Sequence, residues 1–105
     1  MHKFKALFKL LDDDLRDTEM HIKYAEEIYE DGDKAMGAVF LKEASSRIDH
    51  FDYFHKIFKQ EVEKEEDKHS AETVEKCLWK ESHKKYQSWY NCLREEIREL
   101  QEKYK

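Results

Sequence analysis

The chain contains no proline and only two glycines, Gly32 and Gly37. So few turn-formers over 105 residues exclude a multi-stranded sheet and favour long, uninterrupted helices. Cysteine is equally scarce. Cys77 and Cys92, fifteen residues apart on one expected helix, would sit about 22 Å from each other, far beyond disulfide reach. A disulfide-stapled fold is excluded, and the thiols are read as reduced. No run approaches the ~20 apolar residues needed to span a bilayer. The opening Met1-His-Lys-Phe-Lys-Ala-Leu-Phe-Lys-Leu-Leu11 is too short for a secretory h-region and lacks a small-residue cleavage site. The acidic Asp12-Asp13-Asp14 directly after it speaks against a membrane-seeking amphipathic start. Net charge of −5 disfavours phosphate-backbone binding, which needs a basic face. The expectation is a cytoplasmic protein with no membrane and no direct nucleic-acid contact.

What is present is charge and aromatic material. Charged residues make up 43% of the chain and aromatics 13%. The first suits helices with solvated faces, and the second supplies a core that a disordered chain would lack. One domain over 1–105 is expected, long enough to bury roughly two-thirds of its unfolded surface. A first helix should run from Phe4 to Asp31, with Phe4, Phe8, Leu11, Leu15, Ile22, Ala25 and Tyr29 on one stripe, Thr18 at its centre, and Glu19 and Glu26 on an edge. Asp31-Gly32-Asp33 supplies a glycine stop and a new Asp cap. A second helix continues to about Glu66, with a turn near Asp67 to His69 and Ser70 as the next cap. A third runs from Ala71 to about Tyr104, with Ala71, Val74, Leu78, Trp89, Leu93 and Leu100 inward and Ser82, Lys85 and Glu96 interrupting. Short turns make neighbours antiparallel. The expected fold is all-α: an up-down-up bundle of three long antiparallel helices, either complete alone or completed by a homodimer.

The densest apolar stretch, Leu41 to Phe58, is also where polar groups crowd. Read at helical period, Met36, Phe40, Ala44, Phe51, Phe54, Phe58 and Val62 share a face. Arg47 falls in its centre, with Glu43 and His50 on one shoulder and His55 on the other. A charge on a buried stripe is costly unless paired. Ferritin-like metal sites set a glutamate from one helix against an E-x-x-H pair on the next. Here the second helix reads Arg47-Ile-Asp-His50, with Glu19 at a matching height on the first.

The segments Asp12-Asp-Asp-Leu-Arg-Asp-Thr-Glu19, His50-Phe-Asp-Tyr-Phe-His55 and Trp79-Lys-Glu-Ser-His83, in this order and spacing, resemble a family of small rubrerythrin/ferritin-like helical proteins frequent in bacterial prophages. The resemblance implies a ferritin-like bundle with metal ligands matching Glu19 and His50. It also places the helix 2 carboxylate on Arg47 and the helix 3 carboxylate on Ser82, with Glu81 and His83 beside it. Two expected carboxylates are therefore missing, which removes the bridging set that dinuclear iron chemistry needs. The remaining candidate ligands, Glu19, His50, Glu81 and His83, suit one zinc ion. The competing reading places the Arg47 guanidinium where the ion would be, paired with Glu19 or another inward carboxylate.

Other groups carry weaker signals. Asp17 and His21, four apart, are read as a solvated pair, and His55 as a hydrogen-bonded core histidine. His2 and His69 are expected to be exposed. Tyr86, Trp89 and Tyr90 among Lys84 and Lys85 are read as core plus rim. No nucleophile–base pair, phosphate loop or cysteine–metal spacing is present. Two functions follow. The first is a non-enzymatic, acidic, phage-borne interaction protein that inhibits a basic host protein by binding it, for example an anti-CRISPR inhibitor of an RNA-guided nuclease. Tyr24, Tyr53, Trp79 and Tyr90, off the main stripes, would be its anchors. The alternative is a ferritin/rubrerythrin-like metal-binding oxidoreductase or iron-handling protein.

Overall fold

The computed structural model describes the backbone of residues 2–68 and 74–105 and the side chains of residues 5–61 and 82–105. Among the described residues all regular structure is helical: α1 (His2–Glu30), α2 (Lys34–Lys68) and α3 (Val74–Lys103). At 1.5 Å per residue each helix is about 44–52 Å long. The molecule measures 56 × 20 × 17 Å, so the helices lie along its long axis and its cross-section holds little else. No helix among the described residues is long and apolar enough to cross a membrane. The expected cap at Ser70, with Glu72 and Ala71 after it, lies outside the described residues, as do the side chains of Phe4, Val62, Val74, Cys77, Leu78, Trp79 and Glu81.

Cross-helix contacts set the register. Phe8 packs on Phe58 (ring centroids 4.7 Å apart), and Tyr24 meets Phe40 edge-on at 6.1 Å. Phe8 also approaches Tyr86, Phe51 stacks on Tyr90 at 5.5 Å, and Tyr29 stacks on Tyr104 at 4.2 Å. Buried positions recur in steps of three and four. They are Leu11, Leu15, Thr18, Ile22, Ala25 and Tyr29 in α1, then Leu41, Ala44, Ile48, Phe51, His55 and Phe58 in α2, then Tyr86, Leu93, Ile97 and Leu100 in α3. A mean step of about 3.5 is the seam of helices wrapped on one another.

That period rotates two helices relative to the expected stripes. In α2 the centre of the buried face is Ile48, fully buried, while Met36 is exposed. Arg47 stands beside the core, its side chain 44% exposed and 3.5 Å from Glu43 one turn back. The arginine therefore does not occupy the centre of the bundle. A stripe drawn through Met36, Phe40 and Ala44 advances four residues per step, faster than the 3.5-residue seam, and so reaches the wrong neighbour. In α3 the same correction brings in Tyr86 and Ile97 and leaves Lys85 and Glu96 outside. The α1 stripe lies where its periodicity places it.

The first turn follows its residues closely. Asp33 N–H donates to the Ile28 carbonyl and Gly32 N–H to the Tyr29 carbonyl, a paired closure that satisfies the last carbonyls of α1. Gly32 takes φ +92°, a conformation that costs glycine nothing. Asp33 then caps α2, its Oδ1 accepting from Met36 N–H at 3.0 Å. One turn on, a Cβ on Gly37 would stand 2.6–2.8 Å from the Tyr29 ring. Glycine is what lets α1 and α2 approach this closely.

Candidate functional site

The flanks of each stripe determine which helix a polar side chain meets. In α1 the flank carrying Asp14 and His21 turns to α2, where His50 and Phe40 receive them. The opposite flank carries Glu19 and Glu26 and turns to Glu96 of α3, whose carboxyl is held above the ordinary range by burial first, then by Glu19, Glu26 and Glu99. Glu19 and His50 thus stand on different sides of α1. Expected as co-ligands, they are not brought together.

His50 instead donates from Nδ1 to Asp14 Oδ2 at 2.7 Å. Asp14 is 4% exposed, so its carboxylate depends on this bond. Thr18, fully buried one turn on, donates its hydroxyl to the Asp14 carbonyl at 2.7 Å and closes the local polar network. With Nδ1–H committed to Asp14, a neutral His50 carries its lone pair on Nε2. The imidazole is about half exposed and rests edge-on against Phe54 at 4.5 Å. Asp14 lies in the Asp12–Asp14 run, which entered the sequence reading only as an argument against a membrane-seeking start. A signal was nonetheless present: Asp14 is three residues after Leu11 and four before Thr18, spacings that put it against the stripe.

A second pair joins α2 to α3. His55 Nε2 and His83 Nδ1 are 2.9 Å apart, with ring planes 10° from parallel. His55 is buried and stacks on Phe51 at 5.2 Å. Burial holds its pKa below the ordinary 6.5; the charge of His83 and of Lys59 pushes the same way, and Asp52 opposes them. His83 is also held low, by burial and then by Lys59. Nearby Tyr86 is pushed up by burial and by Asp12, with Arg16 opposing. His83 was expected beside Glu19, His50 and Glu81; its described imidazole partner is His55. The Glu81 side chain lies outside the described residues.

Among the described residues no three His, Cys, Asp or Glu side chains gather in a way that could hold a metal ion. Glu19 and His50 accordingly do not fit the bridged carboxylate–histidine arrangement that the ferritin resemblance implies. His21 donates from Nδ1 to the Asp17 carbonyl at 2.7 Å, a helix-internal bond rather than a carboxylate clip.

The remaining feature is an apolar surface along the α1–α2 pair. Phe40 and Phe54 sit half-buried on the flank of α2 that meets α1. Met20 and Tyr24 of α1 and Met36, Val39 and Tyr53 of α2 are exposed, the last two 59% and 63%. Tyr24 meets the Phe40 ring and Tyr53 the Phe54 ring at 5.3 Å. No protein-family model matches the chain, and no curated protein or solved structure matches it.

Proposed function

We propose that the chain is a non-enzymatic interaction protein that binds a basic host protein through the outer side of its α1–α2 pair and inhibits it. One observation carries this reading. Five large apolar side chains of α1 and α2 are exposed on a chain whose net charge is −5, and two of them, Tyr24 and Tyr53, lie against the half-buried rings of Phe40 and Phe54. Aromatic and methionine side chains grouped on a surface are the usual anchors of an interface. The acidic remainder of the molecule attracts a basic partner and sets its approach. An RNA-guided nuclease, whose guide–target channel is positively charged, is the concrete instance, and it agrees with the prophage character of the resemblance. The fold that accompanies this reading is an antiparallel up-down-up bundle of ferritin-like character, supported by the order of contacts along the three helices.

The test is target cleavage by a panel of guide-loaded nucleases, with and without the purified chain. Inhibition at near-stoichiometric ratio, relieved by Tyr24→Asp or Val39→Asp, supports the reading. Inhibition unaffected by either substitution, or none in the panel, overturns it. Iron at two ions per chain with oxygen or peroxide turnover would replace it with the oxidoreductase reading.

A further inference from the structure

The side of the molecule bordered by α1 and α3 changes charge along its length. Positions seven apart fall on one line of a helix wound at about 3.5 residues per turn. In α1 one such line is Lys5, Asp12, Glu19 and Glu26. It borders α3, because Asp12 acts on Tyr86 and both glutamates act on Glu96. In α3 the line next to Glu96 is Lys85, Cys92 and Glu99, all three exposed. Phe8 approaches Tyr86 and Tyr29 stacks on Tyr104, so Lys5 and Lys85 lie toward one end and Glu26 and Glu99 toward the other. Neither Lys85 nor Glu99 has an ion-pair partner among the described residues, whereas neighbouring Arg94 and Arg98 are held by Asp49 and by Glu95 and Glu102. We propose that this side binds a second, antiparallel copy of the chain about a two-fold axis at Cys92, Lys85 of each copy meeting Glu99 of the other.

The register is self-complementary. Lys85 and Glu99 stand seven residues to either side of Cys92, about 10.5 Å along the helix, so an antiparallel copy matches both pairs at once. The α1–α3 register also sets Cys92 level with the middle of α1, and Lys5 and Glu26 lie at similar distances either side of that level. Each basic end therefore comes to an acidic one, where Glu19, Glu26 and Glu99 all repel Glu96 within a single copy. A parallel copy would set lysine on lysine and glutamate on glutamate, which selects against it. Trp89, half-buried one turn before Cys92, adds apolar area near the axis. A side 56 Å long and 17–20 Å wide has room for the roughly 800 Å² that each partner gives to a standard interface. An isologous contact of this kind closes at two copies. It leaves Tyr24 and Tyr53 of the α1–α2 side open and does not depend on the proposed inhibitory function.

The experiment is sedimentation equilibrium of the full chain, at low salt and at about 1 M salt, where the Debye length is about 3 Å. Compared are wild type, Lys85→Glu, Glu99→Lys and the double variant Lys85→Glu/Glu99→Lys. Expected are a dimer with no larger species, affinity lowered on the order of 10-fold by high salt and by either single reversal, and recovery in the double variant, where the reversed pairs attract again. Lys85 and Glu99 are about 21 Å apart along α3, too far to pair within one copy, so recovery reports contact between copies. A short bismaleimide should join Cys92 to Cys92 in a Cys77→Ser background, and less so when either charge is reversed. A monomer at every salt concentration overturns the proposal, and its retention on phosphocellulose through Lys5 and Lys85 would assign the basic end to a polyanion instead. A dimer that survives both single reversals, or that Val39→Asp dissolves, also overturns it, since the contact then lies on another side.

Discussion

Gly37→Ala isolates the closeness of α1 and α2. Two effects oppose each other. Gly37 lies in the first turn of α2, where replacing glycine by alanine favours the helix by at most about 0.8–1.0 kcal/mol, the value for a helix interior. Against this, the new methyl would stand 2.6–2.8 Å from Cδ1, Cε1 and Cγ of Tyr29, about 1 Å inside a normal carbon–carbon contact. The ring has nowhere to go. Tyr29 is 6% exposed and stacked on Tyr104, centroids 4.2 Å apart with planes 3° from parallel. Either the stack breaks, at about 0.5–1.5 kcal/mol, or the helices separate at an overpacking cost of about 1–3 kcal/mol. Steric cost wins. With the overpacking route at its middle value, the net expectation is a loss of about 1 kcal/mol, which lowers Tm by roughly 4–8 °C in a domain of this size. Urea and thermal unfolding followed by circular dichroism at 222 nm would measure it. Adding Tyr29→Leu should recover part of the loss, since the two sites are in contact and couple. An unchanged or stabilised Gly37→Ala protein would mean that helix propensity decides and the close approach is wrong.

Other outcomes follow from the same packing. Ile48→Ala should cost about 2–5 kcal/mol, whereas Arg47→Ala should stay within about 0.5 kcal/mol; reversed values in denaturant melts would put Arg47 back at the centre of the face. Because the folded pKa values of His55 and His83 lie below the ordinary 6.5, the unfolded chain takes up protons first. Their contribution is complete above that pH and is lost as pH falls through the folded values. Urea midpoints in metal-free buffer should therefore drop in that window, and His55→Gln should flatten the slope. Glu96→Gln removes a carboxyl crowded by Glu19, Glu26 and Glu99 and should raise Tm at pH 7. The gain should vanish in acid, where Glu96 is already protonated; a lower Tm at pH 7 would contradict the acidic seam.

Sequence periodicity was most informative where the apolar residues are unambiguous. The α1 stripe from Leu11 to Tyr29 and the Asp31-Gly32-Asp33 turn are legible because leucine, isoleucine, a glycine stop and an aspartate cap each have one natural role there. In α2 aromatic residues fall on the flank as well as the core, so Phe40 and Phe54 masked the seam that runs through Leu41, Ile48 and His55. An offset of one residue put Arg47 where Ile48 is. Cross-helix partners were less legible still. His50 stood out from its place beside the α2 stripe and His83 from the family resemblance, but Asp14 and His55 are their partners because of how the helices rotate about one another. That rotation depends on summed packing along the helices, which no short motif records.

The most direct test of the interaction reading is inhibition by face variants. Target cleavage by a guide-loaded nuclease should be measured against increasing wild-type chain, Tyr24→Asp, Val39→Asp and, as a control on the far side, Glu102→Gln. The account predicts near-stoichiometric inhibition by wild type and Glu102→Gln, and inhibition weakened at least ~10-fold in both face variants, with the melting temperature unchanged in Val39→Asp, as expected when interface anchors are lost. Equal inhibition by all four proteins, or by none, would contradict it.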